Sequence, residues 1–410
     1  MVEALFNSLL YLSVLLIYQR KGRGIDLFFI ILLAYTTIAF VGLLDYMIGI
    51  FTEGFDLSVL RLSYLFIVVM ICILPFRQVN VNTKPIFIME SDKIRILLYF
   101  FVIVGLISAF FTLPKAIAIR AMNDWGSLRQ DVYLGESNIT LYDSQFERLA
   151  KNFYNYLQPF GSVMAFYQLT KPKVNKFLTI LLFAVWLVNS YTSATLIASR
   201  GMIMILALKM LVLYVLFRKF IPKKRNKVII VAAAFVGIFF YVYTLAVTEA
   251  RFGVESNASL WRYFGHSMFA FDDGIMRTMH HYAQGRYQFG WLYRLFGQDS
   301  SFSWDALGCT HGTAFMTFVG NIYVDFGPVF TVLTAVLMSL LIYHFTKKKS
   351  YYLSDIIIIV FAAQWYSEGI FVFPGDQSLM WFMAFVVYFI TKILQNKSYD
   401  KQNRLRISTD

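Results

Sequence analysis

Eleven apolar runs of sixteen to twenty residues constrain this 410-residue chain more than any other feature. A helix needs roughly 20 apolar residues to cross the hydrocarbon core of a bilayer. The runs predict spans over 3–18, 26–44, 58–75, 95–113, 154–170, 177–194, 201–217, 228–247, 328–346, 354–372 and 377–395. Only 15% of the residues are charged, where a soluble domain carries roughly a quarter, so lipid must cover the apolar excess. The expectation is an all-α polytopic integral membrane protein of about 11 transmembrane helices. It forms one membrane domain, 1–410, with two larger extracytoplasmic loops, 114–153 and 248–312.

The connections alternate in charge. Arg20-Lys21-Arg23, Arg77 to Arg95, Lys171 to Lys176, Arg218 to Lys227, Lys347-Lys348-Lys349 and the tail from Lys397 fall on every second one. The positive-inside rule puts them all in the cytoplasm, with the N-terminus out and the C-terminus in. This clustering also explains the net charge of +13 without a nucleic acid. Met1 to Tyr18 lacks the basic start and small-residue cleavage site of a signal peptide, so it reads as a first span. Cys72 and Cys309 fall in separate regions, and no disulfide is expected.

In this topology the cytoplasmic side holds sixteen Lys and eight Arg, and the outer side two Lys and ten Arg. Topology needs only charge, whereas the guanidinium is a rigid fork of donors suited to phosphate and carboxylate oxygens. The outer bias therefore points to anion recognition. Pairing with local acids, among them Glu147, Asp272 and Asp273, is the competing explanation. Arg200 is placed most sharply, in Ala198-Ser199-Arg200-Gly201 between two spans with almost no loop. With Arg251, Arg277, Arg286 and Arg294 it makes the candidate phosphate-binding set.

A second constellation runs from Thr310 to Pro328. Gly327-Pro328 should break the helix, since proline suits a first turn and disrupts an interior. Before that break Thr313, Thr317, Asn321 and Asp325 recur every four residues and share one face. Such a stripe reads as a cavity wall or as an interhelical hydrogen-bond seam. His311 and Asp325 are the candidate proton acceptors, and Thr317, Asn321 and Tyr323 the candidate lining of such a cavity. His280 and His281 are a further option, although adjacent helical residues point apart and make a poor metal pair. No spacing resembles a metal site or a nucleotide-binding fingerprint. Trp261, Tyr263, Tyr282, Tyr287, Trp291, Tyr293 and Trp304 suit sugar stacking and the membrane interface alike.

Three features resemble the O-antigen polymerase (Wzy), or oligosaccharide repeat-unit polymerase, family. They are Ser199-Arg200-Gly201 opening a span, a large Arg-bearing outer loop between late spans, and Tyr323-Val324-Asp325-Phe326-Gly327. The resemblance implies a GT-C-like fold in the bacterial cytoplasmic (inner) membrane. It implies a metal-independent glycosyltransferase without a cofactor. A growing glycan would pass from undecaprenyl diphosphate to a lipid-linked repeat unit. The partners would be that lipid-linked oligosaccharide, membrane lipid and a chain-length regulator. In this reading Arg200 and the other arginines hold the diphosphate, and His311 or Asp325 takes the acceptor's proton. An O-antigen ligase and a lipid-linked oligosaccharide flippase or other transporter are the alternatives.

Overall fold

The computed structural model describes residues 1–22, 24–49, 54–79, 84–88, 91–121, 142–196, 199–252, 265–309, 316–371 and 375–395. Almost all of these are helical. In order they form α1 (Val2–Arg20), α2 (Leu27–Ile48), α3 (Val59–Ile73), α4 (Asp92–Ala121), α5 (Gln145–Thr170), α6 (Lys176–Leu196), α7 (Arg200–Phe217) and α8 (Lys223–Phe252). After a π-helical segment, Ala270–Met276, follow α9 (Gly290–Leu295), α10 (Trp304–Leu307), α11 (Thr317–Thr346), α12 (Leu353–Glu368) and α13 (Gln377–Leu394).

Among the described residues, eight helices are long and apolar enough to cross a membrane. They are α1, α2, α3 with the 3₁₀ turn Leu74–Gln78 that extends it, α4, α6, α8 to Ala246, α11 and α13. The other three predicted spans also fall on helices. α7 is apolar but short, and α12 has sixteen residues. α5 is more polar and is buried on every side from Leu157 to Gln168.

Helix ends follow local chemistry. Asp26 caps α2 by accepting from the Phe29 N–H at 2.9 Å, and Gly49 ends it in the left-handed conformation. Ser144 caps α5 through the Glu147 N–H. The predicted loop 114–153 is shorter than expected. α4 continues through Pro114 to Ala121, and α5 begins at Gln145.

The chain packs as two compact units. The first comprises 1–80, 258–348 and 362–383, and the second 81–257, 349–361 and 384–410. In the first, α1, α2 and α3 pack together, and α11 lies along α3. In the second, α4, α5 and α6 form the central packing, and a two-residue parallel ladder joins Ile86–Phe87 to Tyr351–Tyr352.

Candidate functional site

The site of the first unit is built on the break in α11. Gly327 has φ 70° and ψ −173°, so the helix divides into arms 317–326 and 328–346. Pro328 brings no N–H, and its ring crowds the carbonyl four residues earlier, which favours a break here. Glycine is required on two counts. Its φ is positive, and a Cβ there would stand 2.6 Å from Cζ of Tyr282.

The break frees two carbonyls at the end of the first arm, and a loop takes them up. The Ala283 N–H donates to the Val324 carbonyl at 2.8 Å and the Gln284 N–H to the Asp325 carbonyl at 3.1 Å. Gln284 and Gly285, with φ 54° and 86°, turn the loop back. The Asp325 carboxylate then accepts from the Tyr287 N–H at 3.0 Å and the Gln288 N–H at 2.7 Å. Asp325 thus acts on backbone and holds 283–288 over the helix end.

The predicted stripe exists and is buried. Thr317 and Asn321 are fully buried, and Asp325 is 2% exposed. Asn321 is hydrogen-bonded to the Tyr287 hydroxyl, and its carbonyl accepts from Gln288 Nε2 at 3.4 Å. Thr317 opens α11 at φ 59° and donates its N–H to the Phe371 carbonyl at 2.7 Å. Tyr323 meets Tyr64, Phe271 and Tyr282 edge-on, with centroids 5.8 to 6.2 Å apart. This favours the seam reading of the stripe: the Asn321 and Asp325 side chains tie the loop to the helix, the Thr317 hydroxyl is buried without a hydrogen-bond partner, and none of the three lines an open surface. His311 and Thr313 lie outside the described residues. So do the side chains of Arg200, which opens α7, and Arg251, near the end of α8.

Several of the arginines that the sequence assigns to the outer side have carboxylate partners in the first unit. Arg61 binds the buried Asp272, which also accepts from the Ser58 N–H at 2.9 Å. Burial pushes the Asp272 carboxyl up to about 6, against the lowering effects of Ser58 and Arg61. Arg277 places Nε on Asp273 and has Asp56 at 3.8 Å. Arg294 reaches Asp376 and, at 3.1 Å, Ser300. Local pairing therefore accounts for these three. Arg286 is exposed, with Asp299 as its electrostatic neighbour.

What the loop exposes is a different set from what it buries. Arg277, His280, His281, Tyr282, Gln284 and Arg286 are exposed, while Ala283, Gly285 and Gln288 are buried as anchors. Two imidazoles, a phenol and two guanidinium groups therefore share one short, clamped stretch. The sequence named His280 and His281 only as a further option. Their signal was proximity to the clamp, which is invisible without the pairing of 283–288 to 324–325.

The second unit contains a polar cluster whose charged members, Lys115, Glu147 and Lys151, the sequence placed in the loop 114–153. Lys151 is 3% exposed within α5 and donates to the carbonyl and Oδ1 of Asn189 at 3.1 and 3.3 Å. Asn189 also accepts from Ser108 at 2.7 Å, and Thr112 donates to Thr192 at 3.1 Å. One turn before Lys151, the buried Glu147 binds Lys115 through both oxygens at 2.8 and 2.9 Å. Nearby in chain and structure, exposed Arg120 donates to the Tyr191 hydroxyl at 3.3 Å and lies over the Tyr243 ring.

Comparison with protein-family models, with characterised proteins and with solved structures returned no match. Any functional reading therefore rests on the residues themselves.

Proposed function

We propose that the chain is a polysaccharide polymerase of the O-antigen or capsule type. It would transfer a growing glycan from undecaprenyl diphosphate to a lipid-linked repeat unit at the outer face of the bacterial cytoplasmic membrane. The observation that carries this is the exposed stretch Arg277 to Arg286, clamped by Asp325 beside the apolar helix α11. Cations, imidazoles and a phenol held at the end of a membrane helix suit a substrate whose diphosphate sits at head-group level.

In this reading all eleven predicted helices span, with the N-terminus out and the C-terminus in, in a GT-C-like arrangement. Arg286 and the terminal nitrogens of Arg277 face the donor diphosphate. They stabilise charge as the anomeric C–O bond breaks. The proton acceptor is His281, His280 or His311. Asp325, whose oxygens are engaged by backbone N–H groups, positions the loop. Tyr282, one of the aromatics suited to sugar stacking, is the exposed ring of this stretch and meets the glycan, whereas Tyr323 is buried. A chain-length regulator is the expected partner.

Purified protein supplied with lipid-linked repeat units tests this. Chain growth with release of undecaprenyl diphosphate is the expected result, and Arg286→Ala and His281→Ala should shorten the products. Wild-type product lengths from both would refute the assigned roles, and no release from the intact protein would refute the polymerase. A ligase would instead move the glycan to a different acceptor without chain growth.

The buried Lys151 and the Lys115–Glu147 pair favour a second reading as a lipid-linked oligosaccharide transporter. Ionisable groups inside membrane helices commonly mark conduction paths. Movement of labelled lipid-linked units across proteoliposomes, without release of undecaprenyl diphosphate, would establish it.

A further inference from the structure

The short helix α9 ends in an apolar tip: Leu295 is 69% exposed and Phe296 75%. Gly297, with φ 69°, turns the chain away immediately afterwards. The tip is rigidly attached to the start of α13. The Trp291 N–H donates to Asp376 Oδ1 at 2.7 Å, and its indole N–H donates to Ser378 Oγ at 2.8 Å. Arg294 binds the same Asp376, whose own N–H donates to the Tyr287 carbonyl at 2.7 Å. The Trp291 ring lies 5.7 Å from that of Phe382, itself 53% exposed on α13.

These contacts fix the depth of the tip. α13 is apolar enough to span a membrane from Gln377 onward. At ~1.5 Å per residue, Phe382 lies ~7.5 Å along the helix from Gln377, in its second turn. The base of the tip, at Trp291 and Arg294, is therefore held level with the first turns of that helix, and Leu295 and Phe296 follow it directly in the chain. Trp291 and Arg294 at its base have the amphipathic character of an interfacial belt.

We infer that Leu295 and Phe296 insert into the lipid leaflet at the Gln377 end of α13, making 290–296 a membrane anchor for the adjoining loop. The occupant of this surface is bilayer lipid. Because the loop 283–288 is joined to α9 through Tyr287, Gln288 and Asp376, the anchor keeps His281, Tyr282 and Arg286 near the head groups. The inference stands on geometry and does not require the polymerase reading.

Site-directed nitroxide labelling of the full chain in phosphatidylethanolamine/phosphatidylglycerol nanodiscs tests it. The background is Cys72→Ala/Cys309→Ser, and the labelled positions are Leu295→Cys and Phe296→Cys. Phe382→Cys serves as the lipid reference and Gln298→Cys as the water reference. Labels at 295 and 296 should relax with oxygen in preference to a water-soluble nickel chelate, as at 382. A preference for nickel, as at 298, would overturn the anchor. Protection from both reagents would also overturn it, because another protein surface or a second copy would then cover the tip.

Discussion

Replacing Asp325 separates two roles that a carboxylate on this helix can play. Its oxygens accept from the Tyr287 and Gln288 N–H groups, and the residue is 2% exposed. A hydrogen bond to a charged acceptor contributes about 1.5–3 kcal/mol. Asp325→Ala should therefore weaken the closed loop by about 3–6 kcal/mol. Asp325→Asn keeps one acceptor oxygen but turns an NH₂ toward the other donor, so about half that loss is expected. At 1.4 kcal/mol per tenfold, a loss of about 3 kcal/mol raises the open fraction on the order of a hundredfold. Amide exchange at residues 287 and 288, and tryptic cleavage after Arg286, both read that opening. Faster exchange in Asn and faster still in Ala is the expected order, with transfer activity falling in step. Unchanged exchange in Asp325→Asn, together with abolished activity, would refute the clamp and restore the carboxylate as a direct proton acceptor.

Other perturbations probe the frame. Gly327→Ala puts a Cβ against the Tyr282 ring at a positive φ and should cost about 1–3 kcal/mol of stability. Thermal melts should show partial recovery in Gly327→Ala/Tyr282→Ala, where the clash is gone but the backbone strain remains. Lys115→Met leaves the buried Glu147 carboxylate without its counter-charge, keeping only the Asp143 N–H at 2.9 Å, and should destabilise by about 3–5 kcal/mol, with much of the loss recovered in Lys115→Met/Glu147→Gln. Equal melting temperatures for the single and double variants would contradict this. The Asp272 carboxyl, raised by burial to about 6 from an ordinary 3.8, binds more protons folded than unfolded between those values. Its contribution is therefore fully present below the ordinary value and lost as pH rises through about 6. The melting temperature of wild type relative to Asp272→Asn should fall from pH 4 to 6.5, and a flat difference would count against it.

Hydropathy made the helices legible, because runs of this length and purity have few alternatives. The break at Gly327-Pro328 was equally readable, since both residues act through local backbone sterics. Helix ends were less so: α4 runs past Pro114 because a proline in a helix is tolerated when packing holds both sides. The stripe of Thr317, Asn321 and Asp325 was legible as a stripe, but its partners were not. Periodicity tells which residues share a face and is silent on what meets that face. The arginines illustrate the same limit. Composition shows a bias toward Arg, whereas the pairings of Arg61 with Asp272, and of Arg294 with Asp376, join residues more than eighty positions apart. Lys151 was misplaced into a loop because one charge near the end of an apolar run looks like a boundary, and only packing reveals that α5 began six residues earlier.

The loop over α11 is held by its main chain. Its amides meet the carbonyls of residues 324 and 325 and the Asp325 carboxylate, while the side chains of His281, Gln284 and Arg286 point outward. Attachment and recognition thus use different atoms of the same few residues. The His281 and Arg286 side chains can be exchanged for others of different size, charge or hydrogen-bonding pattern without loosening the segment that carries them, whereas Gln284, at φ 54°, is limited to residues that accept a left-handed backbone. The arrangement is a socket with replaceable contacts, suited to a protein whose target must change while its scaffold stays the same.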